Sequence, residues 1–119
     1  MTSRLEYEML PARDGTELRL VGEIRRDVVR ELCTVFKDIR LKAGDVLTLN
    51  LSHVSLMDSA AVAALLGEHR RIERSGSIMR LGDVSAAAER SLAMFRLSSV
   101  TESPRVPGLL ESIGTSAFG

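Results

Sequence analysis

Apolar and polar residues alternate near the start of the chain and then change to a helical spacing. Residues 17–21 alternate, which predicts a strand with one buried face. Residues 13–16 contain a turn signal, so residues 5–10 are predicted to form the first arm of a hairpin. In residues 26–41 apolar side chains recur every three or four positions, which predicts an amphipathic helix that stops before Gly44.

Two strand–helix units are predicted after this helix. Residues 46–51 alternate and read as a buried strand. A short polar loop then leads to a second helix, which opens at Asp58 and Ser59 and runs to about Arg74. Residues 78–81 are short and apolar, which predicts another strand.

The last part of the chain adds a third helix and weaker elements. Ser85 is predicted to cap a helix that reaches Phe95, Val100 to lie in a last short strand, and residues 109–113 to form a final short helix. Strands that alternate with helices imply parallel pairings with right-handed crossovers. The predicted fold class is therefore α/β, a mixed sheet of four to five strands with helices packed mainly on one face.

Composition narrows the function classes. The chain has 119 residues, which fits one domain over residues 1–119, with a core at about 5–100 and a short C-terminal segment at 101–119. The 16 basic and 16 acidic residues cancel, so no net field attracts nucleic acid or anionic lipid. No segment reaches the length of a membrane span and no signal-type run opens the chain, so we expect a cytoplasmic protein without membrane insertion.

The start of the second helix is the place where chemistry is most expected. In open α/β sheets, sites cluster at the carboxyl ends of strands, and a helix N-terminus offers unpaired amides with a partial positive charge. A phosphate on Ser59 would gain those amides. Asp58 is the usual type of residue to cap such a helix, and the plain capping role is the commoner one.

This segment resembles the STAS domain family, in the form of the anti-sigma factor antagonists. Family members carry an apolar strand, a loop that ends in Asp-Ser-Ser-Gly-Leu-Gly or a close variant, and an amphipathic helix; residues 58–63 read Asp-Ser-Ala-Ala-Val-Ala. Residues 21–24 and 81–85 resemble further family segments, and residues 97–100 resemble the turn that follows them. The resemblance covers roughly residues 18–100.

The resemblance implies a partner and an interface. A family member of this type binds an anti-sigma factor, often a serine kinase, and thereby regulates sigma-factor-dependent transcription without catalysis of its own. The partner-binding residues that it implies are Asp58, Ser59, Val62 and Arg70, with Val62 as the apolar contact.

The family's phosphorylation switch is altered in this sequence. The usual acceptor position is Ala60, which has no hydroxyl, so Ser59 is the candidate phosphorylation site although its side chain points about 100° away around the helix. STAS subunits of lipid-transport ABC complexes often read Asp-Thr-Ala-Gly here, and Asp58-Ser59-Ala60 is similar to that pattern, with Ser in place of Thr. The alternative is therefore a non-catalytic subunit that contacts a transporter ATPase.

Other chemistry finds little support in the sequence. No nucleophile elbow, phosphate-binding loop or dinucleotide fingerprint occurs, so we expect no catalytic residues and no cofactor. His53, in the predicted loop, and His69, on the second helix, are too few for a metal site, and the single Cys33 excludes an internal disulfide. A small-molecule sensor that uses the open end of the sheet stays a weaker alternative, and the oligomeric state stays open.

Overall fold

The computed structural model describes residues 5–102, with side chains described as far as residue 94. Four strands form one sheet in the order β1-β2-β3-β4. Their bounds are Glu6–Ala12 for β1, Gly15–Ile24 for β2, Val46–Met57 for β3 and Ile78–Val84 for β4. β1 and β2 pair antiparallel as a hairpin, whereas β2, β3 and β4 run parallel.

The parallel strands are joined by helices. A short 3₁₀ turn (Arg26–Val28) leads into α1 (Val29–Asp38), which connects β2 to β3. Helix α2 (Ser59–Arg74) connects β3 to β4, and α3 (Ala86–Glu102) follows β4. Because the strands advance in one direction across the sheet, right-handed crossovers place α1 and α2 on the same face. This mixed α/β architecture confirms the predicted fold class.

The core lies between the sheet and its helices. Leu47, Leu49 and Leu51 alternate along β3 and are fully buried, because side chains two residues apart share one face of a strand. Phe36 of α1 and Leu65 of α2 close the core from the helical side. Each such side chain contributes about 1.5–3 kcal/mol by leaving water, so these contacts hold the helices to the sheet.

Two glycines stand where other residues would be strained. A Cβ at Gly15 would overlap the carbonyl oxygen of Val46, so the hairpin can approach β3 this closely only at a residue without a side chain. Gly76 has a φ of 93° and follows the last turn of α2, which is the conformation that ends helices.

The prediction of a loop after Leu51 is wrong. β3 continues to Met57, because its pairing with β2 runs on through His53, Val54 and Leu56 with two register shifts. His53 and Ser55 are exposed and Ser52 is half-buried, while Val54 and Met57 are buried. Because this part of β3 has several polar, solvent-accessible residues, its composition is that of a loop although it forms a strand.

Two helix ends also differ from the prediction. α1 ends at Asp38 rather than Leu41, and its first turn is a 3₁₀ turn. α3 runs to Glu102, so Val100 lies in a helix, and the predicted strand there and the predicted turn at 97–100 are wrong. No glycine or proline occurs between Ala86 and Pro104 to stop the helix. The predicted helix at 109–113 lies outside the described residues.

Candidate functional site

Asp58 fixes the junction where α2 begins. Its Oδ1 accepts a hydrogen bond from the Ala61 amide at 2.9 Å, which is the geometry of a helix N-cap. Its Oδ2 accepts from the Arg26 amide, also at 2.9 Å, and its own amide donates to the Ile24 carbonyl at 3.2 Å. Asp58 therefore ties the end of β2 to the start of α2 and holds the surface around it in one geometry.

The residues after Asp58 point in different directions. Ser59 is exposed on the first turn of α2, and Ala60 is half-buried. Val62 is only 1% exposed and belongs to the core. The apolar contact expected from Val62 is therefore not offered at the surface, because the amphipathic helix turns this residue inward against the sheet.

An exposed line of residues runs from Ser59 toward the middle of α2. Ser59, Ala63, Gly67 and Arg70 are all exposed and follow one another at helical spacing, and we call them the α2 stripe. The first three have small side chains, so the backbone of α2 is close to the surface there. Of the residues expected at the interface, the fold brings Asp58 and Ser59 together and places Arg70 about 16 Å along the same helix.

An open groove of about 670 Å³ adjoins the start of α2 on the side of α1. Its lining includes Arg26, Arg30, Cys33, Thr34, Lys37 and Ala60, and we call it the α1 groove. The sequence alone does not predict this groove. Arg26, Arg30 and Lys37 do lie at intervals of four and seven residues, which would have placed them on one side of a helix.

A buried carboxylate lies between α1 and α2. Glu68 is 6% exposed and accepts from the Nε and Nη2 atoms of Arg71 at 2.8 and 2.7 Å. Burial raises the pKa of the Cys33 thiol, and the neighbouring Glu68 carboxylate raises that pKa further. The thiol therefore stays protonated at neutral pH, and a reactive thiolate is disfavoured.

The two histidines lie apart and in different environments. His69 is 3% exposed, and neither ring nitrogen has a hydrogen-bond partner in the described part of the chain. Its Nε2 lies 3.7 Å from Oε2 of Glu73, and burial lowers the pKa of His69. His53 is exposed on β3, with Nδ1 3.1 Å from the Ser52 hydroxyl. Among residues 5–102, no three His, Cys, Asp or Glu side chains converge as a metal site would require.

Solved structures of similar fold include proteins described as anti-sigma factor antagonists. One, from Mycobacterium paratuberculosis, matches with a TM-score of 0.68 at 13% identity, over 84% of this chain and 86% of that chain. A second is the anti-sigma factor antagonist SpoIIAA in its unphosphorylated form, with a TM-score of 0.56 at 23% identity, over 77% of this chain and 80% of that one. At these identities the likeness shows the fold.

A larger protein contains a similar unit. The structure of Mglu matches with a TM-score of 0.58 at 22% identity, over 66% of this chain. The chain spans only 20% of the Mglu chain, so the likeness concerns a part of that protein.

No helix within residues 5–102 combines the length and the apolar character that a membrane crossing needs.

The family comparison agrees with the fold. A family model described as "Mlab, STAS domain" matches residues 11–110, which is most of the sequence. The chain has the four-stranded mixed sheet described above, and the family model covers most of its length. The chain therefore belongs to the STAS domain family.

Proposed function

We propose that this STAS domain is a protein-interaction module that binds an anti-sigma factor of the serine kinase type and so regulates sigma-factor-dependent transcription. The domain would act by occupying a surface of the anti-sigma factor, with no bond made or broken. The description of two structural neighbours as anti-sigma factor antagonists supports this role. The interface we propose consists of Asp58 and the α2 stripe.

The observation that carries the proposal is the geometry at the start of α2. Ser59 is exposed directly after Asp58, whose two carboxylate oxygens are both engaged by backbone amides. A surface held in one conformation loses little entropy when a partner docks. Ala63 and Gly67 continue that surface without long side chains, so a partner can approach the helix backbone closely.

The regulation we propose differs from a switch at the usual position. Ala60 has no hydroxyl and cannot be phosphorylated. The chain is therefore either an antagonist that is always competent to bind, or one that is regulated by phosphorylation of Ser59. A phosphate on Ser59 would add negative charge beside the Asp58 carboxylate within the proposed interface. We therefore expect phosphorylation of Ser59, where it occurs, to weaken partner binding.

The first prediction concerns Ser59. Ser59→Asp should weaken binding of the anti-sigma factor about tenfold or more, because it places an uncompensated charge in the interface. Affinity capture of the tagged chain from a lysate of its own cells, followed by calorimetry with the purified anti-sigma factor, measures the effect. Ser59→Ala is the matched control, since it removes the hydroxyl without adding charge, and it should bind as the unaltered chain does. Equal affinity of the Asp and Ala variants would move the interface away from Ser59.

A second candidate function rests on the missing hydroxyl. Asp58-Ser59-Ala60 is similar to the Asp-Thr-Ala pattern of lipid-transport STAS subunits, in which the domain braces a transporter ATPase. The same exposed start of α2 would then contact that ATPase. Capture of an ATPase together with a membrane permease, and of no anti-sigma factor, would favour this second function over the first.

A further inference from the structure

The residues that line the α1 groove include more basic than acidic side chains. The chain as a whole has no net charge, yet the groove is lined by Arg26, Arg30 and Lys37 with Asp27 as its one acidic residue. The six ion pairs identified within residues 5–102 involve other residues, and Asp27 has an interaction of its own. Arg26, Arg30 and Lys37 are exposed, so a carboxylate that enters the groove can reach all three.

The shape of the groove suits a length of polypeptide. Arg26 and Lys37, eleven residues apart, lie at the two ends of its basic side, which is therefore about 16 Å long. About five residues of extended chain would span this distance. The floor is less polar, with Val29, Cys33 and Ala60 half-buried between the basic side chains and the start of α2. A segment with acidic side chains on one side and small apolar contacts on the other would match both features.

Two carboxylates near the groove, besides Asp27 in its lining, already have hydrogen-bond partners. The Glu68 carboxylate accepts two bonds from Arg71, and both oxygens of Asp58 accept backbone amides. Asp58 also occupies the Ala61 amide, which a small anion at the start of α2 would otherwise use. These contacts favour a ligand held by the side chains of α1 over a single phosphate held by the helix N-terminus.

We propose that the α1 groove binds an acidic segment of the partner protein, with Arg30 and Lys37 as its principal contacts. The inference rests on the proposed function, since it adds a second contact beside the α2 stripe. Ala60 joins the two surfaces, because it lines the groove and lies next to Ser59 in the first turn of α2. The partner would thus be selected by its charge at α1 and by close packing at α2.

An NMR titration of the isotope-labelled chain with an acetylated, amidated hexaglutamate peptide tests the proposal without the partner. The amides of Arg30, Thr34 and Ala60 should shift as the peptide is added up to millimolar concentration, and a hexaglutamine peptide should leave them in place. Added salt should weaken the hexaglutamate shifts, because the contacts are between exposed charges.

Charge-reversal variants locate the binding. Arg30→Glu and Lys37→Glu should each weaken hexaglutamate binding at least about tenfold. Arg80→Glu is the matched control, since it makes the same charge change at an exposed position on β4, and it should bind the peptide as the unaltered chain does. Arg30→Gln removes the charge without reversing it and should therefore show an intermediate loss of binding. This milder variant tests the same contact in case Arg30→Glu disturbs the helix.

Several outcomes would overturn the inference. They are the absence of shifts, shifts centred outside α1, and equal weakening by Arg80→Glu, which would indicate a general charge effect. Inorganic pyrophosphate that shifts the same amides at lower concentration than hexaglutamate would assign the groove to a small anion instead. None of these results bears on the Ser59 binding experiment, so the proposed function would stand or fall separately.

Discussion

His69 is a buried ionisable residue whose environment disfavours its charged form. Its ring is 3% exposed and no hydrogen bond to either ring nitrogen occurs within the described part of the chain. Burial lowers the pKa of His69, the nearby Glu73 carboxylate opposes that shift, and Arg70 adds to it. In the unfolded chain a histidine takes up a proton near pH 6.5. Below that pH the unfolded state binds a proton that the folded state still rejects, so stability falls as the pH falls.

The prediction at this scale compares the pH dependence of unfolding with and without His69. Between about pH 8 and about pH 5.5, the free energy of unfolding should decrease more for the unaltered chain than for His69→Gln, because glutamine does not titrate. Urea denaturation at each pH measures the two losses. His53→Gln removes the other, exposed histidine and is the matched control. An equal loss in the His69→Gln variant would show that His69 does not contribute to acid destabilisation.

At the scale of elements, the junction between β2, the 3₁₀ turn and α2 depends on one carboxylate. Asp58 accepts the Ala61 amide inside α2 and the Arg26 amide that leads into α1. Loss of this carboxylate would leave both amides without their acceptor, while the backbone bond from the Asp58 amide to the Ile24 carbonyl would remain. The orientation of Ser59 on the first turn depends on the same contacts.

The prediction for this junction is a loss of stability in Asp58→Ala. We expect the free energy of unfolding to fall by about 2 kcal/mol, roughly 1 for the N-cap and roughly 1 for the second hydrogen bond. Asp58→Asn should lose less, since an amide oxygen can still accept from one of the two donors. Asp83→Ala, at an exposed position on β4, is the control and should change stability by no more than about 0.5 kcal/mol. If Asp58→Ala were as stable as Asp83→Ala, the junction would not depend on this carboxylate.

The elements also show where sequence reasoning succeeds and where it stops. The start of α2 and its end near Gly76 were predictable, because a capping residue and a left-handed glycine act locally. The extension of β3 to Met57 was not, since Ser52, His53 and Ser55 are polar and only pairing with β2 keeps them in a strand. Tertiary contacts, rather than local preference, decide such a segment.

At the scale of the whole molecule, the fold class followed from the alternation of strands and helices, whereas the surface did not. Three basic residues could be placed on one side of α1, but a groove exists only because α1 packs beside the start of α2. The inward position of Val62 likewise depends on how α2 is rotated against the sheet. Residues expected at the interface were therefore found partly at the surface and partly in the core.

We propose that a partner docks on one continuous face, formed by the α2 stripe and the α1 groove. Two other surfaces could bind a partner instead. One is β1, an exposed edge strand. The other is the side of the sheet that carries the hydrogen bond between Asn50 and Glu17. A partner on either of these would leave α1 and α2 accessible to solvent.

Hydrogen exchange with and without the anti-sigma factor that we propose as the partner tests this docking face most directly. Binding should slow amide exchange in residues 26–37 and at the start of α2, where the first turn of the helix is otherwise accessible. Exchange in β1 should be unchanged. Slower exchange confined to β1, with no change in α1 or α2, would place the interface on the hairpin edge and contradict the account.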